Sequence, residues 1–266
     1  MNRPNIPAST SLCRHNCEEI YYRERNLVQE LIGRHSFTQV LFYQILGREP
    51  EPAECSIVDA VLVALMEHGL TPSATAARLV YTGSPDNIQS GVAAGLLAVG
   101  SAFVGTTEEC AALLSDLIGS NDGPAGSARA CVARYAAGKK AIPGFGHHLH
   151  KPDDPRAAKL LALARQLGTW GKHCDALEIL SQELDRHSGR HLTINATGAV
   201  AAVLADLGVP PSAMRGFALI SRAAGLVAHL VEEQDVPTGR AIWTLVEQAV
   251  PYRPASAPQR QQREQA

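Results

Sequence analysis

The segment Pro143-Gly144-Phe145-Gly146-His147-His148-Leu149-His150-Lys151-Pro152-Asp153-Asp154-Pro155-Arg156-Ala157 sets three histidines and an arginine beside two glycines. Imidazole is the side chain that gains and loses a proton near neutral pH. Gly144 and Gly146 let backbone N–H groups come close to a ligand and adopt φ values other residues avoid, so His147 would be presented from a loop lined with donors. Arg156 adds a rigid fork suited to a carboxylate. The combined chemistry is proton transfer beside a bound carboxylate. The same residues would also serve as an ordinary Gly-rich loop and a helix capped by Asp153 or Asp154, with Pro155 in its first turn.

Three further places carry chemistry. His68, in Leu65-Met66-Glu67-His68-Gly69, ends an apolar segment, where a helix dipole favours a cationic histidine. Arg222, in Leu219-Ile220-Ser221-Arg222-Ala223-Ala224-Gly225-Leu226-Val227-Ala228-His229, sits among apolar residues. It needs either an anion or a buried acidic partner there. Lys139 and Lys140 precede the glycine loop and could meet phosphates.

The elements that position these residues read as helices. Apolar residues recur at helical spacing over 27–33, 37–46, 57–67, 74–81, 88–103, 108–119, 125–137, 156–167, 174–187, 199–207, 211–233 and 239–250. β-branched alternation over five residues or more is almost absent, so an all-α architecture is expected. Gly83, Gly119, Gly123-Pro124, Gly138, Gly168, Gly208 and Pro210-Pro211 fall at segment ends. Segments 88–103 and 216–230 are apolar nearly all round, which predicts helices buried on every side and a large core or a subunit interface. Residues 254–266, rich in Gln, Arg and Pro, are expected to form a disordered tail.

At 266 residues and 28.3 kDa, with 45% hydrophobic residues, a net charge of −2 and a pI near 6.5, the chain can bury a large core and carries no nucleic-acid footprint. No run approaches the ~20 apolar residues needed to cross a bilayer, and Met1 to Ser11 is not signal-like. A cytoplasmic location follows as the expectation, with neither nucleic acid nor membrane as a partner. Six cysteines without a CxxC pair predict free thiols. Cys13-x-His15-x-Cys17 lacks a second ligand pair at finger spacing, so no metal site is expected.

Taken together, these motifs resemble the active-site segments of the citrate synthase superfamily. They are closest to citryl-CoA lyase and the lyase portion of ATP citrate lyase. His147 after Gly-Phe-Gly, with Asp154-Pro155-Arg156 beyond it, resembles the family's central loop. Glu67-His68-Gly69 is similar to the lyases' Asp-His-Gly. Arg222 to His229 is similar to the family's Arg-x-x-Gly-x-x-x-His helix, and Ile20-Tyr21-Tyr22-Arg23 to its early Tyr-Arg-Gly segment. The resemblance implies an all-α fold with a large domain (18–105 and 207–253) and an inserted small domain (106–206), closing over substrate in a homodimer or higher homo-oligomer. It implies catalytic roles for His147 and His68, carboxylate binding by Arg156, Arg222 and His68, and CoA held by Lys139, Lys140, Ile142, Pro143, Gly144, Phe145 and Gly146. No prosthetic group is implied; a CoA thioester and a small di- or tricarboxylic acid would be the ligands.

Three departures bear on the reaction. Ile194, in Leu192-Thr193-Ile194-Asn195-Ala196-Thr197-Gly198, stands where the family's proton-handling aspartate is expected, and Asn195 beside it cannot ionise. Phe103 stands where citrate synthases carry a histidine that stabilises the enolate. Trp243-Thr244 replaces an Arg-Pro pair, with Arg240 one turn earlier. The expected activity is cleavage of citryl-CoA, or a related 3-hydroxy-3-carboxyacyl-CoA, to acetyl-CoA and oxaloacetate. His147 would accept the hydroxyl proton, and water, His148 or His150 would protonate the enolate. The alternatives are a citrate synthase-like condensing enzyme and a non-catalytic paralogue that binds CoA esters.

Overall fold

The computed structural model describes residues 8–100, 105–147 and 149–253. Phe103, His148 and the expected tail at 254–266 lie outside them. Eleven α-helices make up most of the described chain: α1 (Phe37–Leu46), α2 (Pro52–Met66), α3 (Pro72–Gly83), α4 (Ile88–Leu97), α5 (Thr106–Ile118), α6 (Gly123–Ala137), α7 (Pro155–Leu167), α8 (Lys172–Ser188), α9 (Ala196–Asp206), α10 (Pro211–Asp235) and α11 (Gly239–Ala249). The helical periodicity thus placed every long element. What it missed is short. Strands β1 (Cys13–His15), β2 (Ile20–Tyr22) and β3 (Arg25–Asn26) form a small antiparallel sheet, Cys13 facing Tyr22 and Tyr21 facing Asn26. Two- and three-residue strands carry too few positions for alternation to register. A π-helical turn, Leu27–Leu31, follows, capped by the Asn26 side chain.

Two compact units divide the chain: 1–68 with 99–225, and 69–98 with 226–266. In the first, α9 is the central element, buried from Gly198 to Leu204. Around it lie Phe42 of α1, Ile57, Val58 and Val61 of α2, Cys110 and Leu114 of α5, Leu177 and Leu180 of α8, and Met214 and Phe217 of α10, all fully buried. Asp206, at the end of α9, accepts the backbone N–H groups of Gly171, His173 and Cys174 and pairs with the His173 ring at 2.9 Å. That carboxylate satisfies the open first turn of α8, whose own N-cap, Gly171, has no side chain to do so.

In the second unit, Ala77, Tyr81, Leu226 and Leu230 form the core. Arg78, 1% exposed, donates to Glu233 at 2.6 Å, Thr238 at 3.0 Å, the His229 ring and Glu232. Gly91 and Gly95 of α4 receive the side chains of Leu230 and Leu226. The expectation that segment 88–103 is buried on every side does not hold for α4: Leu97 is 86% exposed, and only the two glycines are buried. Small residues bring that one face close, and Val92 and Leu96 beside it pack only partly against the same core. The uninterrupted-run criterion also passed over α10. At 25 residues it is long and apolar enough to cross a membrane by length and hydropathy, with 39% of its most apolar window buried within the protein. All six cysteines are free thiols.

Candidate active site

Every described residue of the expected site falls in the first unit. The loop before α7 is stitched to the segment before α9. Gly146 N–H donates to Thr193 O at 2.8 Å, and Asn195 N–H donates to Gly144 O at 3.0 Å. The Asn195 side chain donates to Gly146 O at 3.0 Å. Gly144 and Gly146 have φ of +88° and +82°, and Gly144 lies against Gly198 and Cys110 with no room for a Cβ. The glycines therefore serve both predicted ends, left-handed backbone and close approach. Cys110 under the loop is fully buried, and burial pushes its thiol pKa up to about 12, so it is chemically quiet. Ile142, Pro143, Gly144 and Phe145 are buried, and Phe145 forms a bridge with Ile194.

Three imidazoles converge above this loop. The backbone N–H groups of Leu149 and His150 donate to His147 Nδ1 at 3.1 and 2.9 Å. An atom that accepts from amides carries no proton, so neutral His147 bears its proton on Nε2. His150 stacks on His147, ring centroids 4.4 Å apart and tilted by 32°. His68, just past the end of α2, places Nε2 3.5 Å from His150 Nε2, with its ring centroid 6.0 Å from that of His147. Burial lowers the His68 pKa, and Arg156, His150 and Arg222 lower it further against the pull of Asp154, which favours the neutral ring.

The arginines are held from below and beside. Asp154, fully buried, caps α7 and accepts Arg156 N–H at 3.0 Å, Nε at 3.1 Å, Nη2 at 2.8 Å and Ala196 N–H at 3.1 Å. Burial alone would raise its pKa, but these hydrogen bonds outweigh it and hold the carboxyl below the usual range. Arg156 Nη2 lies 3.5 Å from His147 Nε2. Both atoms are donors, so the position they share suits an anionic oxygen. Arg222 is mostly buried, and Glu67 Oε1 approaches its Nη1 at 3.5 Å without completing a hydrogen bond. Burial lowers its pKa despite Glu67, a cost that a bound carboxylate would offset. Gly225, one turn beyond Arg222, abuts the Met66 carbonyl, which brings α10 against the end of α2 and sets Arg222 beside Glu67.

Of the predicted residues, His68, His147, Arg156 and Arg222 are brought together, and Ile142 to Gly146 form the floor. Lys139 and Lys140 are exposed at the end of α6. Sequence reasoning missed the anchoring of Arg156 by Asp154, whose signal was the Asp-Pro-Arg triplet itself. It also missed the hydroxyl chain in which Thr197 bridges Thr106 and Asn195. Among the described residues, His68, His147 and His150 are also the groups of metal-ligand type that converge, with atoms within 4.8 Å of one another. The protonated Nε2 of His147 and the two flanking guanidiniums suit an anion rather than a cation.

A sequence model described as "Citrate synthase, C-terminal domain" matches residues 8–243. The citryl-CoA lyase of Hydrogenobacter thermophilus superposes with a TM-score of 0.86 at 34% identity, covering 95% of this chain and 96% of that one. The ATP citrate lyase of Methanothrix soehngenii, solved with citrate and coenzyme A, shares the fold at a TM-score of 0.79 and 18% identity, over 96% of this chain and 43% of that one. The "Putative citrate synthase 2" of Mycobacterium tuberculosis is 29% identical over 228 residues, 77% of this chain. This chain spans about half the length of the curated relatives it matches, 55% in that case. With a family match across most of its length and the helical fold of the solved relatives, the chain belongs to the citrate synthase family.

Proposed function

We propose that the protein is a carbon–carbon lyase that cleaves citryl-CoA, or a related 3-hydroxy-3-carboxyacyl-CoA, into acetyl-CoA and oxaloacetate. It would work as a cytoplasmic homodimer or higher homo-oligomer that needs no prosthetic group. Arg156 and Arg222 bind the substrate carboxylates, with His68 as a neutral donor beside them. Lys139, Lys140 and the exposed ends of the loop, Ala141 and Gly146, meet CoA. The buried run Ile142 to Phe145 holds the loop in place. The expected domains, 18–105 with 207–253 and the inserted 106–206, belong to this reading.

His147 takes a different part from the one its position first suggests. Because Nδ1 is occupied by two amides, Nε2–H donates to the tertiary oxygen instead of accepting its proton. Together with Arg156 Nη2 it stabilises the negative charge that grows there as the hydroxyl proton leaves, before the bond to the acetyl unit breaks and the charge passes to the thioester enolate. The observation that favours cleavage over condensation is the missing carboxylate. Condensation must remove a thioester α-proton, the step for which the family's aspartate is expected at the position of Ile194. Ile194 is bridged to Phe145 and cannot ionise. The site's described carboxylates, Asp154 and Glu67, face Arg156 and Arg222. Protonating a released enolate is far less demanding. Condensation remains the second reading because curated relatives bear the name citrate synthase.

The test is release of oxaloacetate from citryl-CoA by the purified protein, with His147→Ala alongside. Release that falls by about 10²-fold or more in the variant, the range for a lost oxyanion donor, supports the reading. Binding of CoA esters without release of oxaloacetate would replace cleavage with a binding role, and faster net citrate formation from acetyl-CoA and oxaloacetate would favour the synthase.

A further inference from the structure

If His147 is a donor, the tertiary hydroxyl still has to lose its proton, and the enolate still has to gain one. Resting on the cleavage reading, we propose that His150 is a further catalytic residue, accepting the hydroxyl proton and returning it to the enolate carbon. The exchange balances within the substrate. The O–H bond breaks as an N–H bond forms on His150, and the carbon–carbon bond breaks with its electron pair entering the thioester enolate. The same N–H proton then forms the C–H bond of the acetyl methyl group. No co-reactant is consumed.

Geometry singles out His150. Its ring stacks on His147 at 4.4 Å, so an oxygen that accepts from His147 Nε2–H lies within reach of the neighbouring ring. His68 is farther from His147, at 6.0 Å and edge-on, and its proton affinity is depressed. The His150 main chain is pinned, because its N–H donates to His147 Nδ1. Its ring is not locked: the contact between its Nε2 and that of His68 is 3.5 Å, long for an N–H···N bond, and a substrate oxygen can displace it. Among the described residues of the site, the other groups are spoken for. Asp154 holds Arg156, Glu67 faces Arg222, and Asn195 and Ile194 do not ionise. Among the described residues, the titratable groups in contact with His150 are His68 after α2 and His147 on its own loop.

The test is steady-state citryl-CoA cleavage by wild type, His150→Gln and His150→Ala across pH 5.5 to 9, with and without added imidazole. Expected are a kcat loss of about 10²- to 10⁴-fold with KM changed less than about 3-fold, loss of the acidic limb of the pH profile, and rescue of His150→Ala by imidazole in proportion to its unprotonated fraction. A structural role predicts no imidazole rescue and an unmoved profile; either result, or a kcat within about 3-fold of wild type, overturns the proposal. Histidine ring ¹⁵N spectra provide a readout that does not need turnover. His68 should shift in His150→Gln while His147 keeps its Nε2–H tautomer, and an unchanged His68 overturns the pairing. No cleavage by the wild type would sink the functional reading itself, and the catalytic assignment with it, whereas cleavage that persists in both variants sinks only the role of His150.

Discussion

Asp154 is the residue on which most of the site's geometry converges. A fully buried carboxylate takes Arg156 through Nε and Nη2, caps α7 through the Arg156 N–H and receives Ala196 N–H from α9. Arg156 is thereby aimed, with Nη2 toward His147. Asp154→Asn keeps the shape and removes the charge, leaving a mostly buried guanidinium without its counter-ion, a loss of about 3 to 5 kcal/mol for broken buried pairs. The sign of the pH effect follows from the lowered pKa of Asp154. The stability it contributes is present above its unfolded pKa of about 3.9 and is lost as pH falls through the lower folded value. Thermal melts should therefore place Asp154→Asn well below wild type at pH 7, with the gap closing toward pH 2. The KM for citryl-CoA should rise about 10-fold or more, since a charge-assisted hydrogen bond from a misaimed Arg156 is worth roughly 1.5 to 3 kcal/mol. Equal melting temperatures at pH 7 would contradict this account.

The glycine contacts act at the scale of elements. Gly198, in the first turn of α9, touches the Gly144 carbonyl and Cα, and the loop that carries His147 rests on that contact. Gly198→Ala must push the loop off Thr193 and Asn195, whose hydrogen bonds to Gly146 and Gly144 set its register. A displacement of about 1 Å costs on the order of 10²-fold in rate when it misplaces reacting groups. Citryl-CoA cleavage should fall accordingly while α9, buried along its length, keeps its helical signal. Full activity in Gly198→Ala would show that the loop does not depend on this contact. The sequence disclosed the two glycines of the loop, the histidine after them and the arginine beyond, because turns and titratable groups are local. It did not disclose that Gly198 packs on Gly144, that Asp154 rather than Asp153 takes the cap, or that His147 turns Nδ1 toward its own chain. Those depend on which helix lies next to which, and periodicity fixes the faces of helices but not their neighbours. The short strands escaped for the opposite reason: they are local, but too brief to show a period.

At the scale of the whole molecule, the described chain leaves apolar surface that one copy does not cover. α11 buries only Gly239, while Trp243, Leu245 and Val246 are 60%, 63% and 53% exposed, and Val250 just beyond it is 69% exposed. Val227 and Val231, one turn apart on α10, are 43% and 50% exposed, and Leu79 and Val80 of α3 are 39% and 41% exposed. Single exposed apolar residues are ordinary, but three helices each presenting them are a surface that asks for a partner. A second copy is the proposed occupant, since α4 and the stretch 216–230, both apolar nearly all round in sequence, are only partly covered among the described residues. Light scattering on the purified chain should give the mass of a dimer or a larger assembly of identical subunits. Trp243→Glu with Val246→Glu, which places two charges on one stripe of α11, should reduce it to 28.3 kDa. If substrate binding needs the assembled form, cleavage should fall with protein concentration in the variant and stay constant in the wild type. A wild-type mass of one chain at every concentration would remove the second copy, and the apolar stripe of α11 would then need a different partner.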